Sequence, residues 1–231
     1  MSVAKRLVSL AREYDLPSDA PERFERLLTG LAAEPDPHTT ISAPVAAVDQ
    51  HIADSLSALV LPPVRSATRI VDIGSGAGFP GLVLAIALPN ASVDLVESAR
   101  RKASVIERLI AAAGLRNARP LPVRVEELGE RAAYDLATAR AVASLPVLVE
   151  YAAPLLRLGG HFVAWKGARE ASEEAAGREA AEMVGLRPVE VRQTRPFAGA
   201  MDLNLHLYLK ERETPTRFPR RPGAAAKRPL A

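Results

Sequence analysis

The segment from Ile70 to Gly81, which reads IVDIGSGAGFPG, constrains the fold of this chain more than any other part of it. An apolar run ends at Asp72, and Gly74, Gly76 and Gly78 follow at alternate positions. Glycine at such positions lets the chain turn sharply and lets a ligand approach the bare backbone. The segment therefore predicts a strand, a glycine turn and a helix, with a ligand bound at the turn.

From Thr68 onward, the pattern of apolar residues predicts strands and helices in alternation. We expect strands over 69–73, 92–96, 118–123, 135–139, 160–165, 187–193 and 203–210. We expect helices between them over 81–88, 100–113, 145–156 and 170–184. Such alternation is typical of a doubly wound, mostly parallel α/β sheet of Rossmann-like type, here with seven strands and with ligands at the carboxyl ends of the strands. The last two strands have no helical pattern between them and predict an antiparallel hairpin.

The flanks of this region differ from it. Apolar residues three or four apart predict helices over 4–14, 21–33 and 45–61, so we assign residues 1–63 to an N-terminal helical cap. Residues 64–210 form the α/β domain, and residues 211–231 a basic C-terminal arm. From residue 210 onward there are seven basic residues, two acidic residues and four prolines. An extended arm that lies along phosphates is expected, with a solvated, partly disordered terminus as the alternative.

Two kinds of ligand use such a glycine turn. The spacing Gly76-x-Gly78-x-x-Gly81 satisfies the dinucleotide fingerprint, so a nicotinamide or flavin site is allowed. The longer string from 71 to 78 resembles the hydrophobic-Asp-x-Gly-x-Gly-x-Gly signature of class I S-adenosylmethionine methyltransferases. S-adenosylmethionine carries a sulfonium and an ammonium, which the Asp72 carboxylate would attract, whereas a pyrophosphate would be repelled. We favour S-adenosylmethionine; a glycine turn that binds nothing is the other alternative.

Polar side chains follow three further strand ends at the same edge of the sheet. Glu97 is placed to accept both ribose hydroxyls, or else to cap the next helix. Val125 would pack on the adenine ring and Glu126 would meet its polar edge, unless Glu126 only opens a short helix. Arg140 would bind the methionine carboxylate or a target phosphate, or else pair with Asp54.

Several cations suggest contact with a phosphate backbone. Arg100, Arg101 and Lys102 begin a helix, where they oppose its dipole, so a partner such as RNA would explain them as well as a solvated helix face does. Lys166 follows the fifth strand of the alternating pattern, where it would steady an RNA phosphate or the target base, or simply cap the strand.

Six motifs taken together resemble the GidB/RsmG family, the guanine-N7 methyltransferases of bacterial 16S ribosomal RNA. They are HIADSL at 51–56, VDIGSGAGFPG at 71–81, VEEL at 125–128, ARAVASL at 139–145, WKG at 165–167 and TPTRFPRRPG at 214–223. The resemblance implies a class I methyltransferase fold and 16S ribosomal RNA or the small ribosomal subunit as partner. It implies cofactor contacts at Gly74, Phe79, Glu97, Val125, Glu126 and Arg140, and RNA contacts from Lys166, Arg217, Arg220 and Arg221. The chain departs from the family before residue 51, where His38-Thr39-Thr40-Ile41 replaces an Asn-Leu-Thr stretch found in many members.

Methylation of guanine N7 needs no general base, because the N7 lone pair is free at neutral pH. We therefore assign no catalytic residue and expect catalysis from positioning. The chain has no cysteine, which excludes the thiolate route to cytosine C5, and its four histidines lack metal-ligand spacing, so no metal is expected. His51 and Asp54 share a helix face, either as acid and base or as a hydrogen-bonded histidine at a domain junction.

No apolar run approaches the length of a membrane span, so we expect a cytoplasmic protein, and nothing suggests an obligate dimer, so we expect a monomer. Three other functions stay open: a small-molecule methyltransferase with the N-terminal helices as a lid, a nicotinamide oxidoreductase, and a non-catalytic RNA-binding module.

Overall fold

A computed structural model describes residues 2–231 of the chain. The N-terminal cap begins with α1 (Val3–Glu13) and α2 (Ala20–Ala33), whose apolar faces are buried. A continuous helical segment over 44–60 follows, composed of α3 (Pro44–Ala47), a π-helical turn (Val48–Ala53), α4 (Asp54–Leu56) and a 3₁₀ turn (Ser57–Val60). The short α5 (Pro62–Arg65) leads into the sheet. None of the helices within residues 2–231 has the length and apolar run needed to cross a membrane.

Seven strands form one sheet in the order β3-β2-β1-β4-β5-β7-β6. They are β1 (Arg69–Ile73), β2 (Ser92–Val96), β3 (Ala118–Leu121), β4 (Tyr134–Arg140), β5 (Leu156–Lys166), β6 (Leu186–Thr194) and β7 (Leu203–Lys210). Strands β1 to β5 are parallel, whereas β7 runs antiparallel to both β5 and β6. The predicted doubly wound sheet and its terminal hairpin are confirmed. The strand order reverses between β1 and β4, which is where open α/β sheets bind ligands.

Helices cover both faces of the sheet: α6 (Gly81–Ala87), α7 (Arg100–Ala113), α8 (Leu145–Ala152), α9 (Ala171–Val184) and the short α10 (Ala224–Lys227). Side chains of β1 alternate between the two faces, as the pleat requires. Ile70 joins a core that contains α1, α2, α6 and α7, whereas Val71 and Ile73 join a second core beneath α8 and α9. The N-terminal cap is therefore packed into the first core layer.

The structure differs from the sequence prediction in the helices. The helix predicted over 45–61 contains the π-helical turn, which makes the helix wider at the residues that face the sheet. The helix predicted over 145–156 ends at Ala152, because Pro154 lacks the N–H that would continue the helix. Leu156 already pairs with Tyr134 in the sheet.

The prediction of an extended C-terminal arm is wrong. Phe218 is 2% exposed and belongs to the core beneath α8 and α9, and Ala225 on α10 is buried as well. Burial of the aromatic side chain stabilises the folded chain by more free energy than the arm would gain from remaining solvated. Residues 211–231 therefore fold back onto the α/β domain.

Candidate functional site

The glycine turn is supported from beneath by Asp72. Its carboxylate is fully buried and accepts hydrogen bonds from the Gly81 backbone N–H (3.1 Å) and the Thr138 hydroxyl (2.8 Å). Burial raises the pKa of Asp72 to about 6. The expectation that this carboxylate faces the ligand is therefore corrected: Asp72 ties the two ends of the turn together and is not in contact with open space.

The glycines of the turn serve different purposes. Gly78 has a φ of +96°, and a Cβ there would lie 2.4 Å from Leu82 Cδ1, so glycine is required for packing. Gly76 has a φ of +57° but open space on the side where a Cβ would be, with no atom nearer than 3.9 Å. Only Gly76 of these two borders the cavity above the turn.

This cavity, of about 630 Å³, lies at the carboxyl ends of β1, β2 and β4, a volume typical of small-molecule sites. Together with the six cofactor residues that the resemblance implies, the glycine turn predicts contacts at Asp72, Gly76 and Gly78. Seven of these nine residues line the cavity, namely Gly74, Gly76, Phe79, Glu97, Val125, Glu126 and Arg140. Asp72 and Gly78 do not line it. The N-terminal cap supplies the opposite wall, with His38, Thr39, Ile41, Gln50, His51 and Asp54. The cavity is therefore bounded by the sheet on one side and by the N-terminal cap on the other.

Glu97 joins the glycine turn to the start of α7. Its Oε2 accepts the Gly76 N–H at 3.1 Å, and its Oε1 accepts the Ala99 N–H at 2.8 Å. The side chain is nearly buried, yet it lines the cavity. Each carboxylate oxygen has a further lone pair, so the bond to the helix start and the acceptance of a ligand hydroxyl are compatible.

Val125 and Glu126 lie on a 3₁₀ turn (Val125–Glu127), as the short-helix alternative anticipated. The Glu126 carboxylate accepts the Gly223 N–H at 2.8 Å. Burial and the charge of Glu126 raise the pKa of the neighbouring Tyr151 to about 12. The Glu126 side chain is thus held by the C-terminal residues at the border of the cavity.

Arg140 forms the ion pair with Asp54 that was its alternative role, with the guanidinium 2.8 Å from Oδ2 and both side chains largely buried. It also lies 3.2 Å from His51 Nδ1. Burial, and then the charge of Arg140, lowers the pKa of His51 to about 4, so the ring is neutral. His51 Nε2 lies 3.0 Å from the Ile41 carbonyl, which accepts its N–H, and the free Nδ1 accepts from Arg140.

The His51 ring also stacks on Phe79, with centroids 4.3 Å apart and planes 9° from parallel. Both ring nitrogens of His51 form hydrogen bonds, and Phe79 stacks on one face of the ring at the junction of cap and sheet. This is the environment of a hydrogen-bonded junction histidine, and it does not favour an acid/base role.

A second cavity of about 230 Å³ adjoins the first and shares Asp54, Arg140 and Ala141 with it. Ala141 follows β4 with a φ of +56°, a strained conformation for alanine. Trp165 and Lys166 line the other side. Lys166 Nζ lies 2.7 Å from Glu173 and 3.4 Å from the Ala143 carbonyl, so it also serves as a cap at the strand end.

Some of the predicted RNA contacts are accessible side chains, whereas one is paired with a buried residue. Arg100, Arg101, Arg217 and Arg221 are exposed, and Lys102 reaches the larger cavity. Arg220 differs from these residues because it is paired within the protein, which argues against its predicted contact with RNA. Its guanidinium forms a bidentate pair with Glu150, at 2.6 Å for the shortest contact, and the Glu150 side chain is fully buried.

Glu150 and Tyr151 are the residues that the sequence reasoning missed. Glu150 is the single carboxylate in the apolar helix LPVLVEYA, and a lone acid in such a run indicates a buried partner. Tyr151 gives no comparable signal. Within residues 2–231, no group of three or more His, Cys, Asp or Glu side chains is arranged to hold a metal ion.

The sequence profile of the family described as "rRNA small subunit methyltransferase G" (GidB) matches residues 38–198. "Ribosomal RNA small subunit methyltransferase G" of Rubrobacter xylanophilus is 44% identical over 188 residues, which cover 78% of this chain and 72% of that protein. The protein of the same name from Deinococcus radiodurans is 42% identical over 217 residues, or 90% of this chain and 85% of that one.

Among solved structures, mitomycin 7-O-methyltransferase MmcR superposes with a TM-score of 0.59 at 16% identity, covering 90% of this chain and 67% of that chain. At this identity the likeness shows the fold alone. The predicted class I methyltransferase fold is confirmed.

Proposed function

Because the chain belongs to the GidB family of rRNA small subunit methyltransferases, we propose that it transfers a methyl group from S-adenosylmethionine to N7 of a guanine in the decoding-centre loop of 16S ribosomal RNA. The observation that carries the proposal is the cavity at the point where the strand order reverses, with Glu97 in its wall. The names of the relatives support ribosomal RNA as the substrate, and the resemblance of the six motifs supports guanine N7 as the methylated atom.

The residues around the larger cavity fit this cofactor. Glu97 is an acceptor suited to the two ribose hydroxyls, Val125 is an apolar contact for a base, and Gly76 leaves room for close approach to the backbone. Arg140 would meet the methionine carboxylate at the Asp54 side of the cavity. Bound S-adenosylmethionine supplies an electrophilic methyl group on a sulfonium.

In this reaction the protein would position the cofactor and the guanine, and no side chain would have to transfer a proton. Guanine N7 attacks with a lone pair and loses no proton, so no residue has to act as a base. His51 suits this scheme, because its neutral ring already accepts from Arg140 and lies close to the Ile41 carbonyl. Arg140 and Asp54 offset each other's charge in a largely buried wall, which keeps that wall rigid.

The smaller cavity is the place we propose for the acceptor guanine. It shares Arg140, Asp54 and Ala141 with the larger cavity, so a base within it lies next to the cofactor site. Strained residues concentrate where a protein fixes a ligand, and Ala141 lies in this shared wall. The exposed Arg100 and Arg101 would hold the surrounding RNA by its phosphates.

The test of the reaction is transfer of a labelled methyl group from S-adenosylmethionine to 16S ribosomal RNA and to small subunits that lack the modification. We expect label at one guanine, mapped by mass spectrometry and by strand cleavage specific for N7-methylguanine. Label at another atom would contradict the N7 assignment. Cofactor binding without any RNA methylation would favour a small-molecule methyltransferase or a non-catalytic RNA-binding module.

The acceptor cavity has its own test. Gly167 lines the smaller cavity, and a Cβ there meets no atom within 4 Å, so Gly167→Trp fills the cavity without a backbone clash. We expect RNA methylation to fall at least tenfold while the dissociation constant of S-adenosylmethionine changes less than twofold. Gly129→Trp is the matched control, because Gly129 is equally open and lines neither cavity. Full methylation by Gly167→Trp would exclude this cavity as the acceptor site.

A further inference from the structure

We propose that residues 214–223, which we call the strap, are part of the cofactor site and act through Glu126 as a positioning residue. The inference rests on the proposed function, because it takes the ligand of the larger cavity to be S-adenosylmethionine. It assigns to the strap a role distinct from the RNA contact that its positive charge suggests.

The strap is anchored outside the cavity. The Arg220 guanidinium and the Arg220 backbone N–H both donate to the Glu150 carboxylate, which is fully buried on α8. The Phe218 ring is buried, and the Phe218 carbonyl accepts from Arg131 at 2.7 Å. A charged pair with a buried carboxylate and a buried ring fix the strap in one position.

Beyond this anchor, the strap contacts the wall of the cavity through the backbone N–H of Gly223. The Gly223 N–H donates to Glu126 Oε1 at 2.8 Å, and Glu126 and Tyr151 both line the cavity. One oxygen of the Glu126 carboxylate is therefore bound to the strap. The neighbouring Val125 is left to face the ligand.

The turn that carries Glu126 depends on this contact. None of the three residues of the turn Val125–Glu127 is fully buried, and only Val125 packs against the core beneath α8 and α9, so the turn has little packing of its own. A backbone N–H that donates to a carboxylate is among the stronger neutral-to-charged hydrogen bonds. Loss of the strap would let the turn move, and the cofactor would then lose a preformed wall.

Two variants break this connection at different ends, and both can be tested on cofactor binding without RNA. A chain that ends at Arg221 keeps the Arg220–Glu150 anchor and removes the Gly223 donor. Glu126→Ala removes the acceptor. By isothermal titration calorimetry we expect each variant to bind S-adenosylmethionine about tenfold more weakly than the unaltered chain. The two changes combined should cost no more than the truncation alone, because the truncation already removes the Gly223 donor, together with the buried Ala225 and the Arg228 carbonyl that accepts from Arg220.

Two further variants separate positioning from direct contact and from charge. Glu126→Gln keeps an acceptor for the Gly223 N–H, so we expect it to bind within about twofold of the unaltered chain. Lys227→Ala with Arg228→Ala removes two exposed charges of the C-terminal segment and should leave cofactor binding unchanged. In steady-state methylation, the chain that ends at Arg221 should raise the KM for S-adenosylmethionine while kcat at saturating cofactor is retained.

The inference is overturned if the chain that ends at Arg221 folds, as judged by circular dichroism, and binds the cofactor normally. It is overturned equally if Glu126→Gln weakens binding as much as Glu126→Ala, because the carboxylate would then contact the ligand directly. If the unaltered chain does not bind S-adenosylmethionine at all, the proposed function fails first, and the inference with it.

Discussion

Glu97 holds one carboxylate between two backbone N–H groups, one from the glycine turn and one from the residue before α7. This arrangement prepares the site before any ligand arrives, because both elements are already fixed in their relative positions. The same side chain has the remaining lone pairs needed to accept hydroxyl groups.

Glu97→Ala is expected to weaken S-adenosylmethionine binding by one to two orders of magnitude, since it removes acceptors of both the ligand and the turn. Glu97→Gln retains one carbonyl oxygen and should lose less. Calorimetric titration measures both. Glu127→Ala, the removal of an exposed acid that does not line the cavity, is the matched control and should bind normally. Equal binding by Glu97→Ala and Glu127→Ala would remove Glu97 from the cofactor site.

His51 is expected to stay neutral at pH 6, because burial and the Arg140 charge lower its pKa to about 4. The proton is expected on Nε2, because Nε2 lies next to the Ile41 carbonyl and Nδ1 accepts from Arg140. The unfolded chain takes up a proton at its ordinary pKa of about 6.5. The His51 contribution to stability is therefore present above pH 6.5 and is lost as the pH falls towards 4. Nitrogen-15 chemical shifts of the ring across this range are the measurement. A titration midpoint near 6.5 would contradict the assignment.

At the scale of elements, the sheet could be predicted and its connections to the flanking segments could not. Strands β1, β2 and β4 are buried on both faces and therefore appear as short apolar runs between helical patterns, which a short window of sequence is enough to recognise. The sequence offers the Arg140–Asp54 pair only as one of two alternatives, because the two residues are 86 positions apart and no local pattern encodes their pairing. The π-helical turn and the docking of the strap likewise depend on tertiary contacts that outweigh local propensity.

The residues of the candidate site, too, could be predicted from the sequence only in part. Parallel strands bring their carboxyl ends to one edge, so the sequence alone indicates that strand-end residues such as Glu97 and Arg140 lie together, and both line the cavity. Asp72 was misassigned because the sequence does not show on which side of the backbone a side chain at the strand end is buried. Glu150 was missed because its partner Arg220 comes from a segment without periodicity.

The Arg140–Asp54 pair is expected to fasten the 44–60 segment to β4. Asp54→Ala leaves Arg140 without a carboxylate in a largely buried wall, which should lower the free energy of unfolding by about 3 kcal/mol. Adding Arg140→Leu should recover part of this loss, because no unpaired charge remains. Urea denaturation of both single variants and the double variant forms the cycle. Strictly additive losses would show that the pair contributes nothing.

At the scale of the whole molecule, charge is distributed unevenly around a nearly neutral chain. The formal net charge is only +3, yet seven of the thirty basic residues lie from residue 210 onward, and all of these except Lys210 and Arg220 are exposed. Arg100 and Arg101 add exposed positive charge at the start of α7, next in sequence to Lys102, which lines the cavity. Such clustering orients a nucleic acid before specific contacts form.

Replacing Arg100 and Arg101 by Gln is expected to weaken RNA binding and to make it less dependent on salt. Each lost phosphate contact reduces the slope of log K against log salt by about 0.7 to 0.9, so a change of about 1.5 is expected. Filter binding at several salt concentrations measures the slope. Arg187→Gln with Arg192→Gln on β6, the far edge of the sheet, is the control and should leave the slope unchanged. A shared effect of both pairs would point to a general electrostatic attraction.

Trp165 donates its indole N–H to the Asp54 carbonyl at 3.1 Å and borders the smaller cavity. It is the only tryptophan in the chain. The protein therefore carries a single built-in fluorophore between its cap and its sheet. Emission from this one indole reports the local polarity of the wall that the two cavities share, so binding events there can be followed optically in solution without attaching any label.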